Sequence, residues 1–350
     1  MAAINVSRRT TSALANLLLV GVSLVVSAVA GEFLLRLALP APNHWKYPQE
    51  RYLYDPQIGV QLAPNQRAYT HDKPVEINSM GVRDREYSGK ARAGIKRVVA
   101  LGDSQTFGNG LAIADTWPKK LESALSDRFG HGHWEVLNCG IPGTDTWQHE
   151  VMLKRMMDAY RPDLVILAFY VNDVTDRYGL GPGDVVAATN AFGKRLVYLL
   201  KESVLLLIIR DAIATFELQF KPSRSFEIEQ AIVTGAVDPV AEKGWRQVDH
   251  SLAAMKATAN QHGAAFLVVV LPRRDQVDGR QPSRGYQNRM REVLELHGIP
   301  YVDALETMQL AYANFGLSMF IPWDGHNSAI ANRVIANDLA DVVLGTRAAR

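Results

Sequence analysis

Hydrophobic and polar positions divide the chain into three regions. An apolar block comes first, uncharged from Thr10 to Gly31 over 22 residues. As a helix it spans about 33 Å, enough to cross a hydrocarbon core of about 30 Å. Residues 40–95 follow, rich in Pro, Tyr, Asn and charge, and are expected to form an irregular lead-in. From residue 96 onward, short apolar runs alternate with helical periodicity, the pattern of a parallel α/β fold. Strands are expected over Arg97–Leu101, Trp134–Asn138, Leu164–Phe169, Ala265–Leu271 and Pro300–Val302. Helices are expected over Thr116–Phe129, Thr146–Tyr160, Trp245–His262 and Tyr286–His297. A last helix follows Asn327-Ser328, either of which can serve as its N-cap. Its positions Ile330, Val334, Ile335, Leu339 and Val342 fall on one face.

The interval 177–244 departs from this rhythm. Gly181-Pro182-Gly183 reads as a loop, and Arg195–Phe220 is strongly apolar. Lys201, Glu202, Arg210 and Asp211 leave too short an uncharged run for a second membrane span. A helical insertion beside the active site is expected instead, its apolar surface a candidate membrane contact. The domain plan is then a cytoplasmic N-terminus with a transmembrane segment over 1–39, a lead-in over 40–95 and an α/β domain over 96–346.

Composition narrows the partners. With 350 residues and 47% hydrophobic content, the chain can build one large core plus extra segments. A net charge of +2 without a Lys/Arg run argues against a nucleic-acid partner. The single cysteine, Cys139, rules out an internal disulfide. Arg8-Arg9 before the apolar block leave the N-terminus cytoplasmic and export the rest. Ala28-Val29-Ala30 fits a signal-peptidase site, which would release a secreted protein. Phe33-Leu34-Leu35 prolongs the apolar stretch past Glu32, which favours an uncleaved anchor in the cell membrane.

Candidate chemistry gathers where the strands end. The run Val98-Val99-Ala100-Leu101 stops at Gly102-Asp103-Ser104, and the carboxyl edge of an open α/β sheet is where such folds place their sites. Ser104 is the candidate nucleophile. A serine hydroxyl needs a base to take its proton and an acid to orient that base. His326 is the candidate base and Asp324, two residues earlier, the candidate acid; Asp303, after the last strand, is a second candidate orienter. Gly143 and Asn172, each after its own strand, are candidate oxyanion donors beside the Ser104 N–H. Each feature alone also fits an ordinary turn or cap. Together they are four strand or helix ends delivering the parts of one acyl-transfer site. No metal is expected, because Asp-x-His supplies two ligands and His131-Gly-His133 lies at the opposite end of the sheet. Gly102, Gly108 and Gly110 lack the spacing of a dinucleotide site.

At these residues the sequence resembles the SGNH hydrolases, also called the GDSL lipase/esterase family, over about residues 95–345. Gly102-Asp103-Ser104 resembles the first block. Gly143, in Asn138-Cys139-Gly140-Ile141-Pro142-Gly143, resembles the second-block oxyanion glycine, and Asn172 the third-block asparagine. Asp324 and His326 resemble the last-block acid and base. Asn78–Asp84 is similar to a lead-in of membrane-anchored members. The resemblance implies a flavodoxin-like three-layer α/β/α sandwich and cofactor-free ester hydrolysis or acyl transfer. It makes an acylated small molecule, lipid or glycan the expected substrate, and a polysaccharide O-acyltransferase the alternative activity. A membrane-tethered glycan-binding scaffold without catalysis is the alternative of another class. Two departures stand out: Tyr170-Val171 replaces the glycine usual before Asn-Asp, and the last block is Asp-x-His where the family has Asp-x-x-His.

Overall fold

A computed structural model of the chain describes residues 2–174, 201–220 and 222–349. The Gly181-Pro182-Gly183 loop and residues 195–200 lie outside the described residues. In chain order the elements are α1 (Ala2–Ala38), β1 (Tyr52–Asp55), β2 (Gly59–Leu62), β3 (Gln66–Thr70), β4 (Lys73–Ile77), β5 (Lys96–Gly102), α2 (Ser104–Phe107), α3 (Trp117–Phe129), β6 (Trp134–Asn138), α4 (Thr146–Tyr160) and β7 (Leu164–Phe169). There follow α5 (Val204–Phe220), α6 (Arg224–Thr234), α7 (Pro239–Gln261), β8 (Ala265–Val270), α8 (Arg274–Val277), α9 (Gly285–Leu296), β9 (Tyr301–Asp303), α10 (Leu305–Phe315) and α11 (Ala329–Val343). They form two compact units: α1 and α5 belong to one, and the elements from His44 onward otherwise belong to the other.

The larger unit is a three-layer α/β/α sandwich. Its five β-branched and apolar runs pair in parallel, in the order β6-β5-β7-β8-β9. Both faces are buried, so the strands read as continuous apolar runs rather than alternating ones. Val99, Leu101, Val165, Leu167 and Val268 face α4, α7 and α9. Val98, Ala100, Ile166, Leu267 and Val269 face α3, α10 and α11. Each fully buried Val, Leu or Ile contributes roughly 1.5–3 kcal/mol. The strand order reverses between β5 and β7, which opens a crevice at their carboxyl ends.

Residues 40–51 and 78–95 are irregular as expected, but residues 52–77 are not. They fold into two antiparallel hairpins, β1–β2 and β3–β4, which bury Tyr52, Val60, Leu62, Val75 and Ile77 in the main core. The strands are only four or five residues long. One turn is an Asx turn in which Asp55 accepts from the N–H groups of Gln57 and Ile58 and Gly59 closes at φ 79°, and the other holds His71 at φ 52° where a glycine is usual. Two helices also differ from the periodicity. α10 was not expected, because Leu310 and Phe315 are exposed and blur its buried face. α7 begins at Pro239, where Asp238 caps the N–H groups of Val240 and Ala241. Of the two candidate caps for α11, Ser328 is the one that accepts from Ile330.

The motif Asn78–Asp84 braces the sheet edge. Asn78 Oδ1 accepts from the N–H groups of Met80 and Val82 and folds the segment back. Arg83, fully buried, then donates to the carbonyls of Phe107, Gly108 and Leu111 at 2.6–2.9 Å. Burial pushes its guanidinium down to about 10, against the pull of Glu50 and Asp84, so it stays charged at neutral pH. Asp84 Oδ2 accepts from the Asn138 N–H and pairs with Lys119 at 2.8 Å.

In the smaller unit, Ala15–Ala38 is an exposed helical stretch of 24 residues with mean hydropathy 2.2, long and apolar enough to cross a bilayer; a signal sequence would pass the same test. Its one acidic residue is engaged: Glu32 accepts from Ser203 Oγ and from the N–H groups of Val204 and Leu205, so it caps α5. Arg36 donates to Glu32 and to the Glu202 carbonyl.

Arg83→Met should remove three hydrogen bonds to carbonyls, of which those of Phe107 and Gly108 keep a second donor, and lower stability by about 3 kcal/mol. Arg83→Lys should restore only part of this, since a point charge cannot reproduce the fork. Urea unfolding measures both; a midpoint unchanged in Arg83→Met would contradict the brace.

Candidate active site

Ser104 is the first residue of α2, at the carboxyl end of β5. The turn before it is tight. A Cβ on Gly102 would lie 2.2 Å from Thr106 Oγ1 and 2.9 Å from the Ala168 carbonyl, so only glycine fits. Asp103 caps α2 through the Gln105 N–H, and its other oxygen accepts from Asn172 Nδ2 at 2.9 Å. Ser104 therefore sits at a helix N-terminus, where the first N–H groups have no intrahelical acceptor.

His326 Nε2 lies 2.9 Å from Ser104 Oγ, although the two residues are 222 positions apart. Its Nδ1 contacts Asp324 Oδ1. Gly325, at φ 89°, turns the chain so that a carboxylate and a ring two residues apart meet. That local turn lets Asp-x-His achieve what the longer spacing achieves in the family pattern. Gln105 Oε1 accepts from the Asn327 N–H and ties this loop to α2. Asp303, the second candidate orienter, is engaged elsewhere: it accepts from Arg284 at 2.8 Å and from the Leu305 N–H.

Ser104, Gly143, Asp324 and His326 line one cleft of about 510 Å³. Gly143 stands at φ +77° with open space where a Cβ would be, so its backbone borders the cleft unshielded. Asn172 does not line the cleft. It is buried beneath it, at 3% exposure, in contact with Asp103. His149 supports the second strand end from below. Its Nε2 lies 2.9 Å from Thr144 Oγ1, and complete burial pushes its pKa down to about 3, so the ring is neutral. The part of the 177–244 interval that folds as α6 reaches the cleft through Glu229. Among the described residues, no group of three or more His, Cys, Asp or Glu could hold a metal ion.

His71 is the residue that sequence reasoning missed. It projects from the β3–β4 turn, and its Nε2 lies 3.3 Å from Asp324 Oδ2. Trp45 packs on its ring at 4.3 Å between centroids, and the Gln49 amide donates to its carbonyl. Asp324 thus has a histidine on each oxygen. Burial raises its pKa, but hydrogen bonds from His326 and His71 and their charges outweigh that and hold the carboxyl far below the ordinary range. The only sequence signal was a histidine in a polar stretch, one of nine in the chain.

The arrangement has the parts of an activated nucleophile: a hydroxyl on a ring nitrogen, the ring oriented by an ionised carboxylate, and backbone N–H groups beside them. Residues 100–317, more than half of the chain, match the GDSL-like lipase/acylhydrolase family. Ser104, Gly143 and Asn172 lie within that match, and Asp324 and His326 lie beyond it. An arylesterase of Vibrio mimicus is 33% identical over 79 residues, 22% of this chain and 38% of the relative, so the chain spans well under half of that protein. Among solved structures, an alpha/beta hydrolase enzyme from the metagenome of Lake Arreo, Spain, is 16% identical, with a TM-score of 0.44 over 74% of this chain and 99% of that one. A variant of an acetyl xylan esterase from Geobacillus stearothermophilus is 13% identical, with a TM-score of 0.42 over 73% and 97%.

His71→Ala should slow labelling of Ser104 by a fluorophosphonate roughly tenfold, the effect of losing one hydrogen bond to a charged group. His71→Gln keeps an N–H of similar reach and should recover most of the rate. If both variants fold by circular dichroism but Gln labels no faster than Ala, His71 serves packing alone.

Proposed function

The chain belongs to the GDSL-like lipase/acylhydrolase family, and from that premise we propose that it is a serine-dependent hydrolase of acyl esters, acetyl esters among them, acting on an extracytoplasmic substrate. The observation that carries the reading is the 2.9 Å contact between Ser104 Oγ and His326 Nε2, with Asp324 on the far ring nitrogen.

The reaction runs in two halves. His326 Nε2 takes the Ser104 proton as Oγ attacks the ester carbonyl. Asp324 stabilises the imidazolium without taking its proton. The oxyanion is received by the N–H groups of Ser104 and Gly143, while Asn172, beneath the cleft, holds Asp103. Collapse of the tetrahedral intermediate breaks the carbonyl–alkoxy bond, and His326 delivers its proton to the departing alcohol. Water then attacks the acyl-serine with His326 as base, releasing the carboxylic acid and returning the proton to Ser104. About 24% of the His326 side chain is open to solvent, which gives water access and favours hydrolysis as the primary reading. The match to an arylesterase supports the same class of reaction.

We place the enzyme in the cell membrane, with residues 1–39 as a single-pass anchor and the domain over 96–346 outside the cytoplasm. The length and hydropathy of Ala15–Ala38 support this, as does Arg8-Arg9 ahead of it. The tie from Glu32 to the start of α5 gives the anchor's end a structural role.

Ser104→Ala should abolish fluorophosphonate labelling and lower p-nitrophenyl acetate turnover at least about a thousandfold while the protein stays folded. Undiminished turnover would remove Ser104 from the mechanism, and a wild type that neither labels nor turns over would favour the non-catalytic scaffold. For the anchor, the full chain should remain in the membrane pellet after alkaline carbonate extraction. A soluble mature chain beginning near Gly31 would instead establish secretion.

A further inference from the structure

The cleft is lined by arginines that ester cleavage does not use, alongside the carboxylates of Asp103, Glu229, Asp275 and Asp324. Arg273, Arg274 and Arg280 all line it together with Ser104 and His326. Two of them are already paired. Arg273 meets Asp275 at 2.7 Å and Glu229 at 3.2 Å, and Arg280 meets Asp278 at 2.7 Å. Arg274 is different. Among the described residues it forms no ion pair, and its Nε is buried without a hydrogen-bond partner. Its guanidinium lies over the Phe320 ring, 5.4 Å from the centroid, which limits its rotamers at little cost.

An Nε closed to water is closed to a ligand as well, so it is the partly exposed remainder of the guanidinium that can receive one. A planar fork held on a ring face suits a carboxylate or phosphate. The distance is also set by the fold. Arg274 follows β8, and Ser104 follows β5; β7 lies between them. Two strand spacings separate these ends, roughly 10 Å. Arg274 and Ser104 line the same cleft, so a group bound by Arg274 and a carbonyl at Ser104 can belong to one substrate.

We propose that Arg274 is the binding residue for an oxyanion group on the substrate, a carboxylate or a phosphate, so that the ester cleaved here is an anionic one. The proposal deepens the esterase reading and rests on it.

Three aryl acetates test it: 4-acetoxybenzoate, 4-acetoxyphenyl phosphate and the neutral methyl 4-acetoxybenzoate. The readout is the ratio of kcat/KM for each anionic ester to that for the neutral one, which cancels general damage to the site. In Arg274→Gln this ratio should fall roughly ten- to hundredfold, mostly through KM, and Arg274→Lys should recover part of it. A fall for the benzoate alone identifies a carboxylate, and a fall for the phosphate alone identifies a phosphate. A ratio unchanged for both overturns the proposal. Calorimetry on Ser104→Ala protein separates this from failure of the esterase reading. Both anionic esters are titrated without turnover, and binding of at least one should weaken on adding Arg274→Gln; binding of neither, or binding indifferent to Arg274, overturns it even if no ester is ever cleaved.

Discussion

The contact between the Ser104 hydroxyl and the His326 ring is the constraint on which the rest of the site depends. Neither residue has a local reason to meet the other. Ser104 is delivered by β5, an interior strand of the sheet, and His326 by a loop ahead of the last helix. Several links hold that loop in place: a bridge between Phe320 and Asn327, the Gln105–Asn327 hydrogen bond and the Asn332 amide on the Asp115 carbonyl. The buried faces of α3 and α11 share one core and bring the segments that carry Ser104 and His326 together. A general base must lie within about 3.2 Å of its proton, so small shifts in any of these links would separate the pair.

Support from the lead-in is as direct as support from the sheet. Arg83 satisfies the carbonyls at the end of α2, which carries Ser104. Asp84 holds the end of β6, which leads to Gly143. His71 reaches the outer oxygen of Asp324. The two hairpins are thus joined to the catalytic domain in one core. Arg83 meets three carbonyls at once and Asp84 meets the Asn138 N–H and the Lys119 ammonium, and a buried charge is stable only when so satisfied.

The far wall of the cleft has a different character. Around Ser104 the polar groups are hydrogen-bonded to one another, as in the chain from Asn172 through Asp103 to Gln105. After β8 come charged side chains in pairs, with Arg274 in no ion pair among the described residues. The first arrangement positions reacting atoms, and the second offers recognition. The strand order reverses beside β5, while β8 lies farther out, which accounts for the separation of the two.

Periodicity and strand-end residues made much of the larger unit readable. Trp134–Asn138, Leu164–Phe169 and Thr146–Tyr160 form over the expected residues, because doubly buried strands and an amphipathic helix write their period into composition. The short hairpins escaped notice because four-residue strands carry little period, and one turn uses a left-handed histidine in place of glycine. Ser104, Gly143, Asp324 and His326 were legible as strand-end chemistry, and they line one cleft. The sequence by itself determined which residues could react, since a nucleophile, a base and an acid are matters of residue type. Only the tertiary structure decided that Asp324 rather than Asp303 meets the ring, that Asn172 lies under Asp103, and that His71 joins from outside the expected domain. Those choices depend on distances between segments remote in the chain, which packing sets and local pattern does not record.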